Sequence, residues 1–205
     1  HLFGFFSVFT PEAVKSVDVY KGSFPARYGG RISSVMDVRM REGNLYKTNA
    51  DLTVGTISSK GVFETPLKKG KSSLLISGRR TYLDLLLVPI QTFSSNETTK
   101  EKYGYSFYDL NAKLFIDIGN AGKLYWSYYS GQDNLYYKST TDFVKHYING
   151  NLKGQKETSQ NKYNWGNYTT SLRWNKSWDK LFVNGTLFYT YYSYKVKMDD
   201  KTEKV

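Results

Sequence analysis

The side chains able to do chemistry in this chain are few and scattered. Asp109 and Asp117 share one alternating run, and two carboxylates on one strand could divide acid and base roles. No nucleophile stands with them, so polar lining of a strand face is the plainer reading, and neither a catalytic residue nor an enzyme is assigned. The two histidines, His1 and His146, lie far apart with no neighbouring ligand pattern, and there is no cysteine. Disulfides, thiol catalysis and cysteine-ligated metals are therefore excluded, and no metal or cofactor is expected. Tyr28-Gly29-Gly30-Arg31 is a turn and lacks phosphate-loop spacing. Tyr136-Tyr137-Lys138 and Lys145-His146-Tyr147 interleave rings with cations and could stack bases. Five lysines against three acids over residues 131–163 leave a local charge of only +2, so no nucleic-acid partner is expected there. A soluble basic β protein that binds nucleic acid stays as an alternative, because the whole chain carries +11.

Period-two alternation places these residues on strands. Residues 105–117 give the cleanest pattern: Tyr108, Leu110, Ala112, Leu114 and Ile116 share one face, and Asp109, Asn111, Lys113 and Asp117 the other. Residues 168–178 alternate in the same way, with Leu172 and Trp174 against Ser171 and Arg173. Further runs are expected over 45–57, 62–67, 72–83, 123–130 and 181–195. Tight turns at 68–71, 119–122 and 179–180 alternate with two long connections, a polar one over 84–103 and a loop over 131–163. Thr10, Pro11 and Glu12 read as the cap and first turn of a short helix.

The stretch over residues 14–43 organises the chain. It holds two short β runs: 17–21, with Val17 and Val19 opposite Asp18, and 33–41, where Met36, Val38 and Met40 oppose Asp37, Arg39 and Arg41. Gly22, Pro25, Gly29 and Gly30 punctuate the connector. The segments VKSVDVYKGSFPARYGG and SSVMDVRMREG resemble the C-terminal part of the plug of TonB-dependent outer-membrane receptors, in a variant similar to those of Bacteroidota. The family's usual Gly-Gly-Val-Ile and Thr-Lys steps are replaced by Ser33-Ser34-Val35-Met36 and Arg39-Met40-Arg41.

Composition agrees with that resemblance. Aromatics make up 17% of the chain, with 19 tyrosines, while the mean hydropathy of −0.55 is hydrophilic. A transmembrane barrel needs aromatic girdles around a polar lumen, with short turns at one end and long loops at the other. No run of about 18 apolar residues could form a transmembrane helix. The expected fold is therefore all-β: a fragment of a plugged transmembrane antiparallel β-barrel with a small α+β plug remnant. Residues 1–43 would end the plug and 44–205 would form the first seven or so strands. Residue 1 is a histidine and HLFGFFSVF lacks a signal-peptide pattern, so an internal fragment is expected.

The resemblance implies an outer-membrane location and energised uptake of an iron complex, a vitamin or an oligomer. The implied partners are a TonB-type coupling protein, outer-membrane lipid and lipopolysaccharide, with a surface lipoprotein as a further option. A non-transporting surface barrel is the alternative within the membrane class. The faces of the alternating runs would be divided between lipid (Tyr108, Leu110, Leu114, Leu172, Trp174) and lumen (Asp109, Asn111, Lys113, Arg173). Asp37, Arg39 and Arg41 would meet charges on the barrel wall. Substrate contacts are expected from Phe24, Arg27 and Tyr28 on a plug loop and from Tyr136, Tyr137 and Tyr147 on the long loop. Arg79 and Arg80 must point to opposite faces. An arginine at the bilayer midplane costs about 2–4 kcal/mol, so both are placed near the outer rim, with an ion pair to a neighbouring strand as an equal alternative.

Overall fold

Valines alternate with charged residues along β1 (Val14–Lys21) and β2 (Ser34–Met40), and the two strands pair as an antiparallel ribbon. The computed structural model describes residues 10–22, 25, 28, 33–94, 98–148 and 151–204. Ahead of β1, Pro11–Ala13 form a single 3-10 turn. Thr10 precedes it but makes no side-chain cap, contrary to the capping expected from sequence; its hydroxyl is spent on Asp109 instead.

The rest of the chain is one antiparallel sheet of seven strands: β3 (Asn49–Val54), β4 (Ser58–Lys68), β5 (Ser72–Thr81), β6 (Thr99–Asp117), β7 (Lys123–Ile148), β8 (Asn151–Ser177) and β9 (Phe182–Lys204). Each strand pairs with the next in sequence, so the architecture is all-β with nearest-neighbour connections. β4–β5, β6–β7 and β8–β9 are joined by tight turns at one end, called lower here. Gly70 at the first of these has φ +71°, a conformation that glycine adopts without a Cβ clash.

Two connections differ from the sequence expectation. Residues 84–103 are not a polar loop: they hold α1 (Leu83–Ser94) and the start of β6. Pro89 sits inside this helix and obscures it in the sequence, because proline removes a helix hydrogen bond. Gln91 locks the helix to β6 by accepting from the Tyr103 amide at 3.2 Å and donating to the Tyr103 carbonyl. Residues 131–163 are not a loop either. They continue β7 and β8 as an unbroken ladder, from Gly131↔Asn167 to Phe143↔Gln155, and β9 follows alongside as far as Lys204.

The ribbon and the turn before it cover one face of the sheet at β4–β6. Ala13 packs with Val62 and Leu75 in a small buried cluster joined by Met40. Gly43 then crosses so close to β5 that an added Cβ would lie 2.5 Å from the Leu74 carbonyl oxygen. Only glycine fits there without moving backbone. The other face of the sheet, called the far face, leaves Ile76, Leu110, Leu172 and Leu187 exposed.

Candidate functional site

Register fixes which side chains share a face. On the lower half, the far face carries Phe63, Leu67, Ile76, Leu110, Leu114, Leu172 and Leu187 on successive strands. Leu110 is 42% exposed and Leu187 74% exposed. The covered face of the same strands carries Ser73, Ser77, Asp109, Asn111 and Lys113, of which Asp109, Asn111 and Lys113 are at most 2% exposed. Val62, Leu75, Phe107 and Phe115 are buried on that face beside them, so it mixes apolar with buried charged side chains. The far face leaves leucines exposed, unlike a soluble sheet, which covers its apolar side. Aromatic rings border the apolar band at both ends. Tyr108, Tyr128, Tyr168, Tyr189 and Tyr191 close it above, with Tyr168 packed at 5.7 and 5.4 Å from the rings of Tyr189 and Tyr191. Trp174 and Trp178 close it below, edge to face at 6.2 Å. From Tyr108 to Ile116 on β6 the band spans roughly 27 Å along the strand.

Above those tyrosines the pattern inverts with no slip in register. The far face turns polar, through Gln132 and Asn134 on β7, Asn164 and Lys162 on β8, and Ser193 and Lys195 on β9. The opposite face turns aromatic. Leu135, Tyr163, Trp165, Tyr192 and Tyr194 line a shallow pocket of about 340 Å³ there. Tyr105 on β6 stacks against Trp165 at 6.4 Å and donates its hydroxyl to Asp133. Stiff rings with few rotamers give contact area at low entropic cost, so this platform is suited to holding a ligand.

A polar seam joins the N-terminal segment to the covered face. Arg79 pairs with Asp109 at 2.6 Å, and Thr10 donates to the other Asp109 oxygen at 3.0 Å. Arg79 also lies over the Phe107 ring at 4.8 Å. Arg41 pairs with Glu64 at 3.1 Å, and Lys60 pairs with Glu12. The Lys60 hydrogen bond holds the Glu12 carboxyl below the usual glutamate value of 4.5, with burial opposing it. Of the two adjacent arginines, Arg79 thus makes the cross-strand ion pair while Arg80 is exposed on the far face.

The structure places the remaining sequence-derived residues as follows. Tyr108, Leu110, Leu114, Leu172 and Trp174 all lie on the far face, and Asp109, Asn111, Lys113 and Arg173 all lie on the opposite one. Of the three ribbon charges expected to reach the sheet, Arg41 is ion-paired with it, through Glu64. Arg39 pairs with Asp37 at 3.2 Å and with Asp18 at 3.6 Å, within the ribbon. The cause is register: Asp18 and Asp37 are directly opposed, and Arg39 relieves that like-charge pair. Tyr28 donates to Asp37 at 2.8 Å and stacks near Tyr20. Phe24 and Arg27 lie outside the described residues.

Tyr136 and Tyr137 are on strand β7, not on a loop, and so point to opposite faces. Tyr136 covers Gly104, where an added Cβ would meet its ring at 2.4 Å. Tyr137 donates to Glu101 at 2.9 Å. Tyr147 is also on β7, and its side chain lies outside the described residues. The platform residues Tyr163, Trp165, Tyr192 and Tyr194 were missed in the sequence. Their spacing of two was the available signal, but its phase is opposite to that of Tyr168, Leu172 and Trp174 on β8 and of Leu187, Tyr189 and Tyr191 on β9.

No family model matches this chain, and no curated protein and no solved structure matches it either.

Proposed function

We propose that this chain is part of a TonB-coupled outer-membrane transporter, with residues 1–43 ending a plug and residues 44–205 opening a barrel that further strands close. The single observation carrying this reading is the polarity of the lower sheet: exposed leucines on the far face, and a buried Arg79–Asp109 pair under the ribbon. Lipid is the solvent that suits such a far face. The tyrosine and tryptophan borders match the two interfaces of a bilayer. The polar seam suits a plug that seats by ion pairs and hydrogen bonds. The residues of 14–43 support TonB coupling by resemblance. The aromatic platform, above the tyrosine border, is the proposed extracellular substrate contact.

The full-length protein is expected to fractionate with the outer membrane and to migrate faster in detergent gels before boiling than after. Uptake of its nutrient is expected to stop when the coupling protein is deleted. A monodisperse chain that unfolds cooperatively in plain buffer would overturn the membrane reading. The length of β7–β9 above the border favours one second reading, a surface barrel that binds without transporting. Ligand binding with no uptake, whether or not the coupling protein is present, would favour it.

A further inference from the structure

Between the ribbon and the sheet lies a crevice of about 470 Å³, apart from the aromatic platform. Lys113 and Arg173 project into it from β6 and β8. Both sit over one ring, that of Tyr125: Lys113 Nζ at 5.4 Å and the Arg173 guanidinium at 5.2 Å. Two cations, from the strands on either side of β7, thus lie against one aromatic ring. Lys113 donates to Ser127 Oγ at 2.7 Å. The Arg173 Nε is buried and has no hydrogen-bond partner among the described residues. Among those residues, no carboxylate is ion-paired with either cation. Glu42 is the acid near Lys113, and it is held by Lys15 at 3.2 Å. Asp37, on the ribbon side of the crevice, is held by Arg39 and Tyr28. The β8 and β9 wall offers hydroxyls and an amide, Thr169, Ser171, Thr186 and Asn167, while the ribbon wall adds the apolar Met36, Val38 and Met40.

Buried cations are costly unless paired, and two near each other repel. A planar guanidinium with a free Nε–H is matched to an oxyanion, and hydroxyls supply further donors without charge. We infer that this crevice is an anion site, which takes a phosphate or carboxylate group of a solute between Lys113 and Arg173. The volume exceeds one such group and fits a small organic anion. The inference deepens the proposed transporter by naming anionic solutes as its substrate class. The site itself rests on side-chain geometry alone.

The test is titration calorimetry of full-length protein in detergent, at constant ionic strength, with inorganic phosphate in one arm and citrate in the other. Saturable binding is expected in at least one arm. The arm with the tighter binding separates a phosphate-bearing from a carboxylate-bearing solute. Lys113→Met and Arg173→Gln should each weaken binding by about tenfold or more, the scale of a lost charge-assisted hydrogen bond. Arg80→Gln, on the far face, should leave it unchanged. If Arg173→Gln fails to assemble, Arg173→Lys keeps the charge and removes the Nε–H; a smaller loss of affinity is then expected. No saturable binding in either arm, or equal affinity in the assembled Lys113 and Arg173 variants, overturns the anion site. The gel-shift and fractionation tests read membrane assembly separately, so failure here leaves the barrel reading standing.

Discussion

The lower and upper halves of β7–β9 are built from the same strands in the same register, yet their polarities are opposite. Below the tyrosine border the far face is Trp126, Leu172 and Leu187, with Ser127, Ser171 and Thr186 behind it. Above it the far face is Gln132, Asn164 and Ser193, with Leu135, Tyr163 and Tyr194 behind. A bulge or slip could produce such a change, but none is present between Lys123↔Asn175 and Phe143↔Gln155. The inversion is therefore a matter of side chains alone. One continuous hydrogen-bonded ladder can serve two surroundings, because backbone pairing does not depend on which face is wet.

The largest expected effect lies under the lower half. Asp109→Ala leaves Arg79 buried without its carboxylate and should cost about 3–5 kcal/mol, read as urea unfolding of the full-length protein in lipid vesicles. Asp133, above the border, accepts from a neutral tyrosine hydroxyl, so Asp133→Asn should cost only about 1–2 kcal/mol. Equal costs would erase the contrast between the halves. Next comes the far face. Leu172→Arg should destabilise by about 2–4 kcal/mol in the same vesicles, whereas Asn164→Arg, eight residues up the same strand, should be nearly neutral. A neutral Leu172→Arg would mean that lipid does not lie against the lower half.

The upper half is expected to matter for binding and not for assembly. The double variant Trp165→Ala/Tyr194→Ala should weaken ligand binding by roughly 1–3 kcal/mol while the gel shift stays normal. Unchanged affinity would remove the platform from the proposed site.

The smallest expected effect is at the seam between ribbon and sheet. Glu12 has a folded-state pKa lowered below 4.5 by the Lys60 hydrogen bond. Its contribution is therefore present above the unfolded-state value and is lost as pH falls through the lower folded-state value. Wild type and Glu12→Gln should differ slightly in stability at pH 7 and converge in acid. The gap is small because the carboxylate is over one-third exposed, where water screens the pair. A gap that widens on acidification would reverse the assignment.

Sequence alone determined the strands whose alternation holds one phase from end to end. Residues 105–117 show this: each second residue from Tyr108 to Ile116 is apolar or small, and that period survives any packing. It also determined the tight turns, since Gly70, Gly119 and Gly122 adopt positive φ that other residues resist. The upper half of β7–β9 was illegible because its hydrophobic phase flips. Pattern reading takes a change of phase for the end of a strand, and only the ladder shows that the strand goes on. The helix was hidden by Pro89, and it is held by Gln91 bonding to a strand twelve residues further along. The candidate sites were hidden for a related reason. Trp165, Tyr192 and Tyr105 come from three strands, as do Lys113, Tyr125 and Arg173, and register brings each set together. Sequence spacing states which face a residue takes on its own strand. Which residues stand beside it on the neighbouring strands is decided only when the sheet forms.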